Sequence, residues 1–176
     1  MLTLRPYKDY DADSIVEWLD DERTFRLWCT NKYSDYPITP DDMNDFYHVM
    51  ECLYPMTAED DEGIVGHLAL RYVNRGHTDV LLTYVIIDSE KRGRGYGKEM
   101  VRMAAKFALE FMNAQKVCIS AFDGNSNPAA YFCYLAAGFR DVTDWIFQPY
   151  IYKDEEWYHR KLELEPEWAR EAGIIP

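Results

Sequence analysis

Two periodicities divide the chain. Apolar and polar residues alternate over positions 1–5 and Pro6 ends that short strand; N-cap candidates between Asp9 and Asp13 then precede Ile15, Val16, Trp18 and Leu19 at helical spacing. A second helical stretch is expected around 22–28. Thr39-Pro40-Asp41-Asp42 supplies an N-cap, a proline at the first helical position and early acids, and so opens a third helix to about Glu51. The period then falls to two. Residues 53–58, 63–73 and 79–88 read as strands joined by Asp60-Asp61-Glu62-Gly63 and Asn74-Arg75-Gly76, compositions suited to hairpins. From Tyr96 the helical spacing returns, with Met100, Val101, Ala104, Ala105, Ala108, Leu109 and Met112 on one face and Lys98, Glu99, Arg102, Lys106 and Glu110 off it. Residues 116–121 read as a buried strand, Asn127-Pro128 opens a helix that Gly138 closes, and β-rich runs at 139–147 and about 156–163 complete the sheet. The expected fold class is α/β in the α+β sense: a mixed, mostly antiparallel central sheet flanked by helices.

Composition narrows the choice. A chain of 176 residues, 48% hydrophobic and 28% charged, can bury a core of its own. With no repeat and no stretch rich in Gly, Ser or Pro, one domain over 1–176 is expected, its core about 2–164 and a polar tail at 165–176. The net charge of −12 disfavours nucleic acid and anionic membrane as partners and favours a cationic or neutral one. Cys29, Cys52, Cys118 and Cys133 form no C-x-x-C pair, which fits reduced thiols. The first residues lack a basic start and apolar run, and no stretch is long enough to span a bilayer, so a cytoplasmic location is expected. His48, His67, His77 and His159 show no metal spacing, and neither G-x-S-x-G nor H-E-x-x-H occurs.

The segment richest in chemistry runs from Ile86 to Lys98. An apolar strand enters a basic, glycine-rich turn that opens a long amphipathic helix, where backbone N–H groups and the helix dipole converge on a place for a phosphate. A Walker loop needs a glycine five positions before Gly97 and Ser or Thr after Lys98; those positions hold Arg92 and Glu99. A dinucleotide fingerprint starting at Gly93 needs a third glycine where Lys98 stands. What remains is [Q/R]-x-x-G-x-[G/A], met by Arg92, Gly95 and Gly97, and about 30 residues on comes N-x-x-A-x-x-x-Y-x-x-x-G-F, met by Asn127, Ala130, Tyr134, Gly138 and Phe139.

With both patterns in this order, the sequence resembles the GNAT superfamily of N-acetyltransferases, and its opening, Leu4-Arg5-Pro6 with Asp11-Ala12, resembles the RimJ/RimL-like branch. The resemblance implies acetyl coenzyme A (acetyl-CoA) as co-substrate and direct acetyl transfer to a primary amine of a small molecule or a protein N-terminus. The alternative is a non-catalytic acyl-CoA sensor of the same fold. By resemblance, the backbone of Val85, Ile86 and Ile87 holds the pantetheine arm. Gly93, Gly95, Tyr96 and Gly97 cradle the pyrophosphate with Arg92, Arg94 and Lys98 adding charge, Asn127 touches the coenzyme arm, and Tyr134 protonates the departing thiolate. Each position also has a plain reading: a solvated basic turn, an N-cap at Asn127, a packed tyrosine at 134. Two glutamates that relatives use as a base are replaced by Phe122 and Leu81. Asp79, Tyr84, Asp123, His48 and His67 are alternatives, and none is assigned. A relay through Cys133 would lack a histidine partner. The aromatic run Trp145, Phe147, Tyr150, Tyr152, Trp157 and Tyr158 reads first as sheet core, with a substrate wall or homodimer face as alternatives. Two acidic clusters, Asp41, Asp42 and Asp45 and the run from Glu59 to Glu62, could attract a cationic amine or simply be solvated.

Overall fold

Strand β1 (Thr3–Pro6) leads into three short helices, α1 (Asp11–Glu17), α2 (Glu22–Cys29) and α3 (Pro40–Val49), in a computed structural model that describes residues 1–145 and 148–176. Local chemistry sets the starts of α2 and α3, whereas α1 begins after Tyr10 with no side-chain cap, so the acids between Asp9 and Asp13 do not cap it. Asp21 accepts from the Thr24 N–H ahead of α2, and Thr39 and Asp42 form a reciprocal capping box ahead of α3 with Pro40 in its first turn. The antiparallel meander follows as β2 (Leu53–Asp60), β3 (Gly63–Tyr72) and β4 (Asp79–Ile87). Helix α4 (Tyr96–Glu110) then crosses to β5 (Lys116–Phe122), which pairs parallel with β4. Helix α5 (Pro128–Ala137) and the two-residue β6 (Arg140–Asp141) precede a separate hairpin, β7 (Tyr150–Tyr152) with β8 (Glu155–Trp157), before β9 (His159–Leu164) returns to the sheet beside β5. The main sheet runs β1-β2-β3-β4-β5-β9-β6, and β4–β5 is its parallel pair.

Each face of this sheet has its own core. Leu68, Leu70, Val80, Leu82, Val117 and Leu164 pack under α4 and α5, where the buried alanines 104, 105 and 108 let α4 lie close to the strands. On the other face Ala69, Tyr84 and Ile86 meet Phe25, Trp28 and Met43 from α2 and α3. Arg5 and the buried Asp11 tie this N-terminal layer to the sheet edge through two N–H···O bonds of 2.7 and 2.9 Å, and Thr57 Oγ1 donates to the same carboxylate at 2.8 Å.

Three expectations change. Among its described residues the run at 139–147 contributes β6, and residues 146 and 147, Phe147 among them, lie outside the described residues. The run at 156–163 is divided between β8 and β9, because Trp157 turns inward onto Phe122 and Tyr152 with the hairpin while His159 starts the ladder with β5. The segment 165–176 is no polar tail: Pro166–Glu171 forms α6, Ala169 and Ile174 are buried in the main core, and Arg102 of α4 donates to the carbonyls of Ala172 and Gly173 at 2.7 and 3.0 Å. Its apolar residues are spaced too sparsely for the pattern to show, yet Trp168, Ala169, Ala172, Ile174 and Ile175 all join the main core.

Candidate active site

The site is built where β4 and β5 part. Their parallel ladder runs from Asp79↔Lys116 to Leu82↔Ile119 and stops, leaving Thr83–Ile87 on one side and Ser120–Phe122 on the other without a strand between them. A bulge causes the change of direction. The β3–β4 register shifts between His67 and Ala69, and Tyr84 sits at φ +53°, so one extra β4 residue faces β3. Side-chain phase inverts there: Val80 and Leu82 point to the α4 face, whereas Tyr84 and Ile86 point to the α2 and α3 face. Trp28 Nε1 donates to the Tyr84 carbonyl at 2.9 Å, so α2 supplies the hydrogen bond that the bulged backbone loses.

A cleft of about 690 Å³ opens through the gap. Its walls include Val85, Ile86, Ile87, Arg92, Gly93, Gly95, Tyr96, Gly97, Lys98, Asn127 and Tyr134, so the structure brings together every expected site residue but one. That one is Arg94, absent from the walls, with its guanidinium 3.4 Å from the Glu90 carbonyl. Gly93 and Gly95 take φ +76° and +88°, which lets the turn after β4 reverse tightly into α4. Gly95 is the N-cap of α4 and has no side chain to satisfy the first-turn N–H groups, and Gly95, Tyr96, Gly97 and Lys98 line the cleft, where such donors suit an anion. Gly97 packs closely, since a Cβ there would lie 3.3 Å from Cys133 Sγ and 3.5 Å from Ile87 Cγ1.

The charged side chains differ in freedom. Lys91 is held by Asp60 and Glu62 at 3.4 and 3.7 Å, and Tyr96 Oη donates to Asp60 at 2.7 Å, so part of the acidic run from Glu59 to Glu62 braces the glycine turn. Arg92 Nε donates to the Ile87 carbonyl at 3.2 Å. Lys98 has no ion pair among the described residues. Asn127 Oδ1 caps α5 by accepting from the Ala130 N–H at 3.4 Å. Tyr134, two turns on, is 7% exposed, and its hydroxyl has no hydrogen-bond partner among the described residues. Burial pushes its phenol well above the usual value, so it stays protonated. Burial likewise raises the Cys133 thiol, which argues against a thiolate there.

Of the residues weighed as a base, only Tyr84 lines the cleft, its phenol pushed up by burial to about 12. Asp79 lies 3.9 Å from Lys116, Asp123 accepts from the Ser126 N–H at 2.8 Å, and His48 lies 3.2 Å from Asp9 on the surface. His67 is buried beside Tyr47 Oη at 2.7 Å, and burial lowers its pKa to about 3. His159 went unassigned in the sequence and lines the cleft. It stands directly across the β5–β9 ladder from Phe122, ring centroids 4.5 Å apart, with Nδ1 3.4 Å from Ser120 Oγ, and burial lowers its pKa. Only the register of β9 could have revealed it. The aromatic run divides in the same region: Tyr152 and Trp157 are buried against Phe122, whereas Trp145 and Tyr158 are exposed.

The family model for the GNAT acetyltransferase domain matches residues 1–133. The chain belongs to the GNAT acetyltransferase family. It is an N-acetyltransferase whose acetyl donor is acetyl-CoA. Solved structures share the fold. Spermidine N-acetyltransferase from Vibrio cholerae in complex with CoA and spermine superposes with a TM-score of 0.77 at 19% identity, over 94% of this chain and 96% of that one. A dodecameric structure of spermidine N-acetyltransferase from Vibrio cholerae in an intermediate state gives 0.73 at 18% identity, over 97% and 95%. No curated protein sequence matches the chain. Among the described residues no helix is long and apolar enough to cross a membrane, and no group of His, Cys, Asp or Glu could hold a metal ion.

If the first turn of α4 receives the donor's pyrophosphate, Gly97→Val is expected to raise KM for acetyl-CoA at least about tenfold and to lower Tm by several degrees, because the added methyls crowd Ile87 and Cys133 on the cleft wall. Steady-state kinetics with acetyl-CoA varied, alongside thermal unfolding, check this.

Proposed function

We infer that this N-acetyltransferase transfers acetyl directly to a primary amine held between Tyr84 and His159, with Tyr134 as proton donor and no covalent enzyme intermediate. Three features fit the donor: an unpaired β4 edge, an uncapped helix start and a glycine turn braced by Asp60. Acetyl-CoA supplies the activated acyl group as a thioester. The edge at Val85–Ile87 offers main-chain amides and carbonyls to an extended amide-bearing arm, as a neighbouring strand would. The N–H groups of Gly95, Tyr96 and Gly97, aided by Lys98, receive phosphate oxygens. Tyr134 Oη holds its proton at the inner end of α5 and delivers it to the leaving sulfur, whose thiol has a reference pKa of about 8.5 and so asks little of an acid.

The acceptor must lose a proton. His159 is the neutral imidazole on the cleft wall, and it stands beside Phe122, the position at which some relatives carry a glutamate. His159→Gln is expected to lower kcat about tenfold, below the usual general-base effect of about 10²- to 10⁴-fold because water in the cleft can also take the proton. The pH profile decides the role. The imidazole is neutral above its lowered pKa, so kcat/KM should fall as pH drops through a value below 6.5, and that fall should vanish in the variant. The observation that carries the whole reading is the splay of β4 and β5 with both helix starts at its mouth. Turnover assays on an amine panel with acetyl-CoA test it, and absence of acetyl-CoA binding would overturn it.

A further inference from the structure

We propose that the acceptor is an amine that also carries an oxyanion, a carboxylate or a phosphate, and that Arg71 binds that group; the proposal rests on the transfer reading above. The charged residues lining the cleft are Lys32, Arg71, Lys91, Arg92 and Lys98, and no carboxylate is among them. Three of these belong to the glycine turn or the start of α4. Arg71 does not. It lies on β3 directly across from Leu81, where β4 and β5 are still paired, six residues up β4 from Ile87 and so roughly 20 Å along the strand from the turn. A guanidinium at that end is out of place for the donor's pyrophosphate.

Arg71 is also unsatisfied. Its Nε is buried without a hydrogen-bond partner, and no hydrogen bond or ion pair engages its guanidinium among the described residues. Native structures retain few such groups, because a buried N–H that has lost water and gained nothing is costly. Arginine cannot shed its charge, and its planar fork matches a carboxylate or phosphate with two parallel hydrogen bonds. Arg71 and Tyr84 line the same cleft, and the positive charge favours an anion near the Tyr84 hydroxyl. Lys32, exposed after α2, adds a second cation on that wall, and Leu27, Trp28, Leu81 and Phe122 give the remaining surface an apolar character.

A polyamine fits this lining poorly, since its charges would meet cations. The acidic clusters lie off the cleft: Asp42 is spent on the α3 capping box and Asp60 on Lys91 and Tyr96. The cationic acceptor favoured by net charge alone therefore gives way to one with an amine at the reacting end and an oxyanion at Arg71.

Matched pairs test the proposal: L-leucine against leucinamide for the carboxylate, phosphoethanolamine against ethanolamine for the phosphate, and spermidine as the polycation. Turnover with acetyl-CoA is measured for each, and so is equilibrium binding to the enzyme–CoA complex. At least one oxyanion member should be preferred over its counterpart at least about tenfold, and which pair shows it tells carboxylate from phosphate. Arg71→Met should abolish the preference and Arg71→Lys restore part of it, with KM for acetyl-CoA unchanged. Tm should hold or rise in Arg71→Met, because no native partner is lost. Preference for spermidine or the neutral amines, or a preference that survives Arg71→Met, would overturn the proposal. Oxyanion amines bound through Arg71 but never acetylated would refute the transfer reading and leave the Arg71 assignment standing.

Discussion

Replacing Tyr134 by Phe should lower kcat by about 10²- to 10⁴-fold, the range expected when a positioned proton donor is removed, while acetyl-CoA binding and Tm stay near those of the unaltered enzyme. The two halves of this expectation have one structural origin. The Tyr134 hydroxyl has no partner among the described residues, so deleting it orphans nothing and removes no hydrogen bond from the fold. Its ring, buried against the α4 and α5 core, is kept by phenylalanine. A tyrosine that merely packed would show unchanged kcat in the same variant. Because burial holds the phenol well above its usual value, the wild-type donor stays protonated throughout the neutral range, and kcat should show no Tyr134-dependent limb below pH 9. Rapid-mix kinetics on both proteins, with donor affinity measured by titration, separate chemistry from binding.

The second large effect is on stability. Asp11 is 2% exposed and accepts from Arg5, the Lys8 N–H and Thr57. Asp11→Ala leaves the largely buried Arg5 guanidinium short of its main partner, a change that costs 3–5 kcal/mol in comparable buried pairs, and the lower end of about 3 kcal/mol is expected because Glu59 still faces Arg5 Nε at 2.7 Å. For a chain of this length that is a fall in Tm of roughly 6–12 °C. The same carboxylates set the response to acid. Burial pushes Asp11 up, but the hydrogen bonds from Arg5, Lys8 and Thr57 outweigh it and hold its pKa below the ordinary value; Asp141, half-buried and bonded to Arg160 and Thr143, lies at about 2. Groups whose folded pKa is depressed stabilise the protein above the unfolded value, near 3.9, and lose that contribution as pH falls through the folded one. The urea midpoint should therefore hold near neutrality and drop between about pH 4 and pH 2, less steeply in Asp11→Ala.

Much of this molecule could be read from its residues, and the failures share a cause. Elements whose signals are local were legible: the Thr39-Pro40 and Asn127-Pro128 helix starts, the alanine-rich face of α4, and the strands of the meander each stand where capping chemistry and period require. That the glycine turn and Tyr134 share one cleft was legible because their spacing is itself the constraint. What escaped depends on register between distant strands. A nearly continuous apolar run from Val80 to Ile87, broken only by Thr83, hides the bulge at Tyr84, which turns half of β4 to the other face. His159 reaches the cleft only because β9 pairs with β5 at Phe122, and Arg71 only because β3 pairs with β4 at Leu81. Charge is local in a similar way. A total of −12 describes the whole surface, whereas the cleft is lined by cations.

The central claim is that the parted edge of β4 and the uncapped start of α4 together receive acetyl-CoA. Residue-resolved amide hydrogen exchange with and without saturating acetyl-CoA tests it most directly. The account predicts slowed exchange across residues 83–87 and 93–98 and at the first turn of α5, with β1 and β2 unchanged. Exchange that stays the same across 83–87 and 93–98 while slowing elsewhere would contradict it.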